Sequence, residues 1–188
     1  MKLLFSSIAL ALMAALAPTG CGSSASSGSG GGDFNKADVT FSQSMIPHHE
    51  QAVQMAKMAK MHASTAAVKR LAEKIETAQG PEIKTMKSWL KDWGKSESSG
   101  SMGGMGHGSG TGMPGMMSDG DMSMLGKVTG PRFDKMFLTM MIRHHSGAVE
   151  MAKTEQAKGK NADVKALAKK IESAQTTEIA EMKNMLTP

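Results

Sequence analysis

The 188-residue chain carries 22 lysines and arginines against 17 aspartates and glutamates, a formal charge of +5. That excess is modest, and the lysines alternate with glutamates along helical faces, which reads as a solvated surface. Aromatic residues make up only 4%, so there is no platform for stacking single-stranded nucleic acid, and nucleic-acid binding is excluded. The single cysteine, Cys21, rules out an intrachain disulfide and any cysteine-built metal or redox centre in a monomer.

In chain order, Lys2 precedes a mostly apolar run from Leu3 to Leu16, then Ala-Pro-Thr-Gly-Cys21. A charged start, an apolar stretch and a small-residue processing site make residues 1–20 an export signal. The run is too short to span a bilayer, which takes about 20 apolar residues. Cys21 resembles the lipidated cysteine of bacterial lipoproteins: Thr19 and Gly20 fit that pattern, and Pro18 departs from it. The expectation is an exported lipoprotein of the periplasm or cell surface, in contact with a membrane only through its lipid. Residues 21–33 then form a Gly/Ser tether with nothing to bury.

Asn35, with Asp38 three residues on, offers an N-cap for a first long helix over about 36–61. Pro47 inside it costs about 3 kcal/mol in a regular interior and predicts a kink just before two histidines. Thr65 caps a second helix over about 66–93, whose apolar stripe is Val68, Leu71, Ala72, Ile75, Ile83, Met86 and Leu90. Gly80-Pro81 predicts a bend or broken turn there. Residues 95–117 are a low-complexity linker rich in Gly, Met and His. Ser118 and Asp121 cap a short helix to Leu125. Pro131 opens a third long helix over about 131–157, Gly159 ends it, and Asn161 caps a fourth that runs to 186.

The chain repeats itself. Phe41 to Leu90 aligns without gaps on Phe137 to Leu186, and half of the aligned pairs are identical, among them Val68/Val164, Ile75/Ile171, Gln79/Gln175 and Met86/Met182. Each copy is a helical hairpin that cannot bury its own apolar faces. The expected fold is all-α: an antiparallel four-helix bundle made of two duplicated hairpins, repeat 1 over 34–93 and repeat 2 over 131–187.

Both copies carry Met-Ile-x-His-His-x-x-Ala-Val-x-Met. At about 100° per residue, Phe41, Met45, His48, His49, Ala52, Met55, Ala56 and Ala59 fall within roughly a 120° arc, with Glu50 and Gln54 opposite. Met141, His144, His145, Ala148, Met151 and Ala152 share the matching arc. The histidines should therefore face inward, accompanied by thioethers and not by carboxylates. Imidazole suits copper and zinc, and thioether favours Cu(I), with Ag(I) as its mimic. The expected metal ligands are His48, His49, His144 and His145, with Met45, Met55, Met141 and Met151 as soft partners. A lone histidine on an apolar face is more often a hydrogen-bonded core residue, but two matched pairs beside methionines point to metal. Whether the pairs form one site or two is left open by the sequence.

Met58, Met61 and His62 extend this pattern toward the end of the first helix as an auxiliary site. Methionines 86, 136, 140 and 182 read as core filling. The linker residues Met102, Met105, His107, Met113, Met116 and Met117 have no core to fill and suggest a loose acquisition arm for Cu(I) or Ag(I). A di-iron site needs Glu-x-x-His motifs, and no glutamate precedes a histidine by three residues. Blue-copper chemistry needs a thiolate in the fold, and nothing singles out a hydrolytic zinc site.

The doubled motif, Phe41 with Met45 to Ala56 and Phe137 with Met141 to Ala152, resembles the bacterial family called domain of unknown function 305. The resemblance covers residues 34–187 apart from the linker. It implies a ferritin-like four-helix bundle, typically exported, with copper binding and resistance in some members. Together the residues and the resemblance predict an extracytoplasmic copper-binding protein for sequestration, resistance or handover to a trafficking partner, and not an enzyme. One alternative is a structural or interaction bundle with a buried, pH-responsive histidine layer. Another is a methionine-based scavenger of oxidants.

Overall fold

The computed structural model describes residues 33–98 and 113–187. The export signal, Cys21, most of the tether, and Met102, Met105 and His107 of the linker lie outside the described residues. Five helices follow one another: α1 (Lys36–His62), α2 (Ala66–Asp92), α3 (Asp119–Lys127), α4 (Gly130–Lys158) and α5 (Ala162–Leu186). The caps are the ones the sequence names. Asn35 and Asp38 form a capping box on α1, Thr65 accepts from the Val68 amide, Ser118 and Asp121 form a second box on α3, and Asn161 caps α5. Among the described residues no helix is long and apolar enough to cross a membrane.

Both prolines lie inside continuous helices: α1 runs on through Pro47, and α2 runs on through Gly80-Pro81 with no broken turn there. Besides removing one backbone donor, a proline ring clashes with the Cβ and N–H of the residue before it. Gly80 has no Cβ, so half of that clash is absent and α2 continues. The unbroken turn keeps Glu82 in the buried stripe.

α1 and α2 form one antiparallel hairpin, α4 and α5 the other, and the hairpins meet along α1 and α4. The core has two parts. One joins the C-terminal half of α1 and the start of α2 to the start of α4 and the end of α5, with Met55, Leu71, Ile75, Phe133, Phe137, Met141 and Met182 buried together. The other joins Phe41, Met45, Met86 and Leu90 to Ala148, Ala152, Val164 and Ile171. This is the antiparallel four-helix bundle of the duplicated sequence, with α1 and α4 at its centre. Ile83 alone of the expected α2 stripe is only half-buried.

The repeats also lock each other's turns. Asp38 of α1 accepts from the amides of Lys160 and Asn161 at 3.1 and 2.9 Å, at the start of α5. Asp134 of α4 accepts from the amides of Ser64 and Thr65 at 2.9 and 3.0 Å, at the start of α2. Burial would raise both carboxyls, but the backbone and hydroxyl donors outweigh it and hold both below the usual carboxylate range. Each hairpin thus supplies a carboxylate to the other's helix N-terminus, which favours one mutual arrangement.

Candidate metal centre

The four motif histidines lie at mid-height, where the two apolar clusters meet. All four are fully buried. Their positions follow from the α1 and α4 stripes, which turn His48 and His144 toward the seam between the hairpins. Those two rings approach to 3.8 Å between centroids, tilted by 37°. The pairs therefore form one central cluster.

The outer histidines turn to carboxylates. His49 Nε2 lies 2.9 Å from Glu82 Oε2, and His145 Nε2 lies 2.8 Å from Glu178 Oε2. Glu82 and Glu178 come from α2 and α5, occupy the same position in the two repeats, and are themselves buried. A lysine of the opposite hairpin steadies each: Lys170 at 3.3 Å from Glu82 and Lys74 at 3.8 Å from Glu178. The expectation of histidines without carboxylates is corrected here. It came from wheels of the histidine helices alone, and these glutamates arrive from the helices packed against them. Burial would raise the Glu82 carboxyl, but the hydrogen bond and charge of His49, helped by Lys170, bring it below the usual value.

The inner histidines have fewer partners. His48 Nε2 sits 3.1 Å from the Pro114 carbonyl oxygen, and neither nitrogen of His144 has a protein partner. A carbonyl or a carboxylate only accepts, so His48, His49 and His145 each donate from Nε2, and in the neutral ring this leaves Nδ1 as a lone pair. In all three that Nδ1 is buried and unpartnered. Burial, and after it the neighbouring imidazoles, pushes His48 down to about 3 and His144 well below the ordinary histidine value. Burial also lowers His145, against the pull of Glu178. Burial thus favours the neutral, metal-binding form of His48, His144 and His145.

The methionines divide. Met45, Met55 and Met141 are fully buried in the core beside the histidine turns. Met151 is only half-buried and lines an open groove of about 490 Å³ with Phe41, Ser44, Pro114 and Glu155. Among the described residues, no three His, Cys, Asp or Glu side chains are arranged to hold a metal ion. The buried thioethers of Met45, Met55 and Met141 are the other soft donors beside the cluster.

The end of the linker is part of the cluster. Residues 113–118 cross the α1–α4 seam, and Met117, expected to be free, is buried. Gln51 grips its backbone, accepting from the Met117 amide at 2.8 Å and donating to its carbonyl at 2.9 Å. On α4 the same repeat position is Gly147, where any Cβ would collide with the Pro114 carbonyl. Gly115, at φ 80°, makes the turn that this close approach requires. Sequence reasoning missed Glu82, Glu178, Gln51, Gly147 and Pro114. The identical Glu82/Glu178 pair, spaced three residues after Gln79/Gln175 on a buried stripe, was the available signal.

Comparison with known proteins agrees with this architecture. The chain is similar to a DUF305 protein from Streptomyces coelicolor, named as secreted, at 32% identity and a TM-score of 0.73, covering 80% of this chain and 91% of that one. It is also similar to a DUF305 fragment from Deinococcus radiodurans, at 28% identity and a TM-score of 0.69, over 81% of this chain and 96% of that one. A third similar structure is CopM in its Cu(II)-bound form, at 34% identity and a TM-score of 0.66, over 79% of this chain and 94% of that one; CopM has also been solved with Cu(I) and with silver. No curated protein matches in sequence. The pattern of domain of unknown function DUF305 matches residues 38–186, and with the paired hairpins and their central histidines in view, the chain belongs to the DUF305 family.

Proposed function

We propose that this is an extracytoplasmic copper-binding protein that sequesters Cu(I) or hands it on, and that it is not an enzyme. One observation carries the reading: four buried imidazoles present five ring nitrogens with no protein partner, at the contact between two hairpins. Buried polar atoms are normally satisfied. Here Pro114, Glu82 and Glu178 orient three rings in the way outer-shell acceptors orient metal-ligating histidines. The donor set fits a soft or borderline ion, with His48 and His144 as central ligands, His49 and His145 beside them, and Met45, Met55 and Met141 as buried sulfur. Met151 stands apart from these, at an open surface groove. Thioether favours Cu(I), and Ag(I) serves as its mimic. CopM, seen with both metals, supports the class of cargo.

Export follows from the N-terminal signal, and anchoring from Cys21 if it is lipidated. The S. coelicolor relative supports the export half. The test is an anaerobic Cu(I) competition titration. It compares the mature chain with a variant carrying alanine at His48, His49, His144 and His145, and with one lacking residues 100–112. Tight binding lost in the first variant supports the reading; loss only in the second moves the function to the linker. The buried His–Glu pairs favour one other reading, a pH-responsive structural layer. No tight binding in the intact chain would leave that one standing.

A further inference from the structure

The last turn of α1 carries Met58, Met61 and His62, spaced i, i+3 and i+4, which sets all three side chains on neighbouring positions of one turn. His62 Nδ1 lies 3.1 Å from the Val128 carbonyl oxygen, and its ring stacks on Phe133 at 5.5 Å. A carbonyl only accepts, so Nδ1 carries the proton and Nε2 is left as a lone pair in a ring already fixed in place. The residue is half-buried, so that lone pair is within reach of solvent. Met58 is half-buried against Gly126 of α3, and Met61 is 72% exposed. Among the described residues the only exposed large apolar side chains are Met61 and Met124, both methionines.

Packing accounts for Met58 and His62 in part, through the core, Gly126 and Phe133, but not for Met61. The second repeat has the same helix in the same bundle, and the corresponding residues are Thr154, Ala157 and Lys158, all exposed. The repeated hairpin needs no thioether at the Met61 position, where alanine serves in the second copy. A methionine placed 72% in solvent loses the hydrophobic gain that usually explains it.

We propose that Met58, Met61 and His62 form a second, surface-accessible site for a soft monovalent ion, Cu(I) or Ag(I), with two thioether sulfurs and the His62 Nε2 as donors. The site is separate from the histidine cluster and goes beyond the reading above. Along α1 the methionines grade from exposed Met61 through half-buried Met58 to fully buried Met55. Soft donors thus run from solvent toward the central cluster.

The test uses the mature full chain and Ag(I), followed by NMR of the methionine ε-methyl groups and histidine rings. The expected result is that one equivalent moves the Met58, Met61 and His62 signals together, with the His62 change at Nε2. A uniform response of every accessible methionine, Met113 and Met124 included, would mean adventitious thioether coordination and overturn the proposal. A variant with M58L, M61L and H62Q keeps near-native volume on this turn. In Cu(I) competition it should bind one equivalent fewer than the parent, while the variant lacking the four motif histidines keeps that equivalent. Unchanged stoichiometry in the triple variant overturns this site and leaves the central one untouched. Loss confined to the triple variant sinks the central reading instead.

Discussion

His48 and His144 occupy the same position in two copies of one hairpin, and the fold brings their tilted rings to 3.8 Å between centroids at the seam between the copies. Only one of the two has a hydrogen-bond partner, because the segment carrying Pro114 crosses the seam on one side. The duplicated sequence therefore builds an asymmetric centre from symmetric parts. His144, with both ring nitrogens free, is the more available ligand.

If Glu82 and Glu178 orient His49 and His145 for metal, removing their charge should weaken binding without unfolding the bundle. Glu82→Gln and Glu178→Gln should each lower Cu(I) affinity by about 10–100-fold, the usual cost of losing an outer-shell partner. Competition titration of the two variants against the parent checks this. Unchanged affinity in both would remove the carboxylates from the site.

Without metal, the cluster should make the protein acid-sensitive. His48 and His144 protonate less readily in the folded state than in the unfolded chain. The His48 contribution to stability is present above about pH 6.5 and is lost as pH falls toward about 3, with a slope of up to about 1.4 kcal/mol per pH unit, and the His144 contribution is lost in the same direction. The metal-free melting temperature should drop between pH 7 and pH 5. His144→Leu should flatten that drop, and an equally steep fall in the variant would show that another group is responsible.

Glu155 should act in the opposite direction. It is 1% exposed and neither carboxyl oxygen has a hydrogen-bond donor; burial, and then the neighbouring Asp38 carboxylate, as hydrogen-bond acceptor and as charge, raises it from 4.5 to about 8. The folded state holds a proton that the unfolded chain releases, so stability declines as pH rises from about 4.5 to about 8. Glu155→Gln should remove that decline and be the more stable protein at pH 8.5, by about 1 kcal/mol or more. Thermal melts at pH 6 and pH 8.5 decide it. Ala59 holds the corresponding place in repeat 1, so the effect belongs to one end of the bundle.

The crossing segment gives a fourth prediction. Gly147→Ala must push the Pro114 carbonyl off α4 and should cost about 1–3 kcal/mol by overpacking. Gln51→Ala removes two hydrogen bonds to Met117 and should cost about 1–2 kcal/mol. Urea unfolding measures both. Either change should also increase solvent access to His48, seen as faster ring-proton exchange.

Much of this protein was settled by local sequence. Asn35, Thr65, Ser118 and Asn161 mark helix starts because their side chains satisfy amides a few residues away, and that geometry needs nothing beyond the segment itself. The stripe from Phe41 to Ala59 is buried as its periodicity requires, and the gapless repeat makes two like hairpins pack on each other. Tertiary structure decided what the stripes face. Glu82 and Glu178 read as ordinary polar residues until α2 and α5 lie against the histidine helices. Met117 looks like loose linker until Gln51 takes hold of its backbone. A helix wheel fixes a direction from the axis, but the partner met in that direction depends on how the helices pack, and here that is set by close approaches such as Gly147 to Pro114, which no single segment encodes.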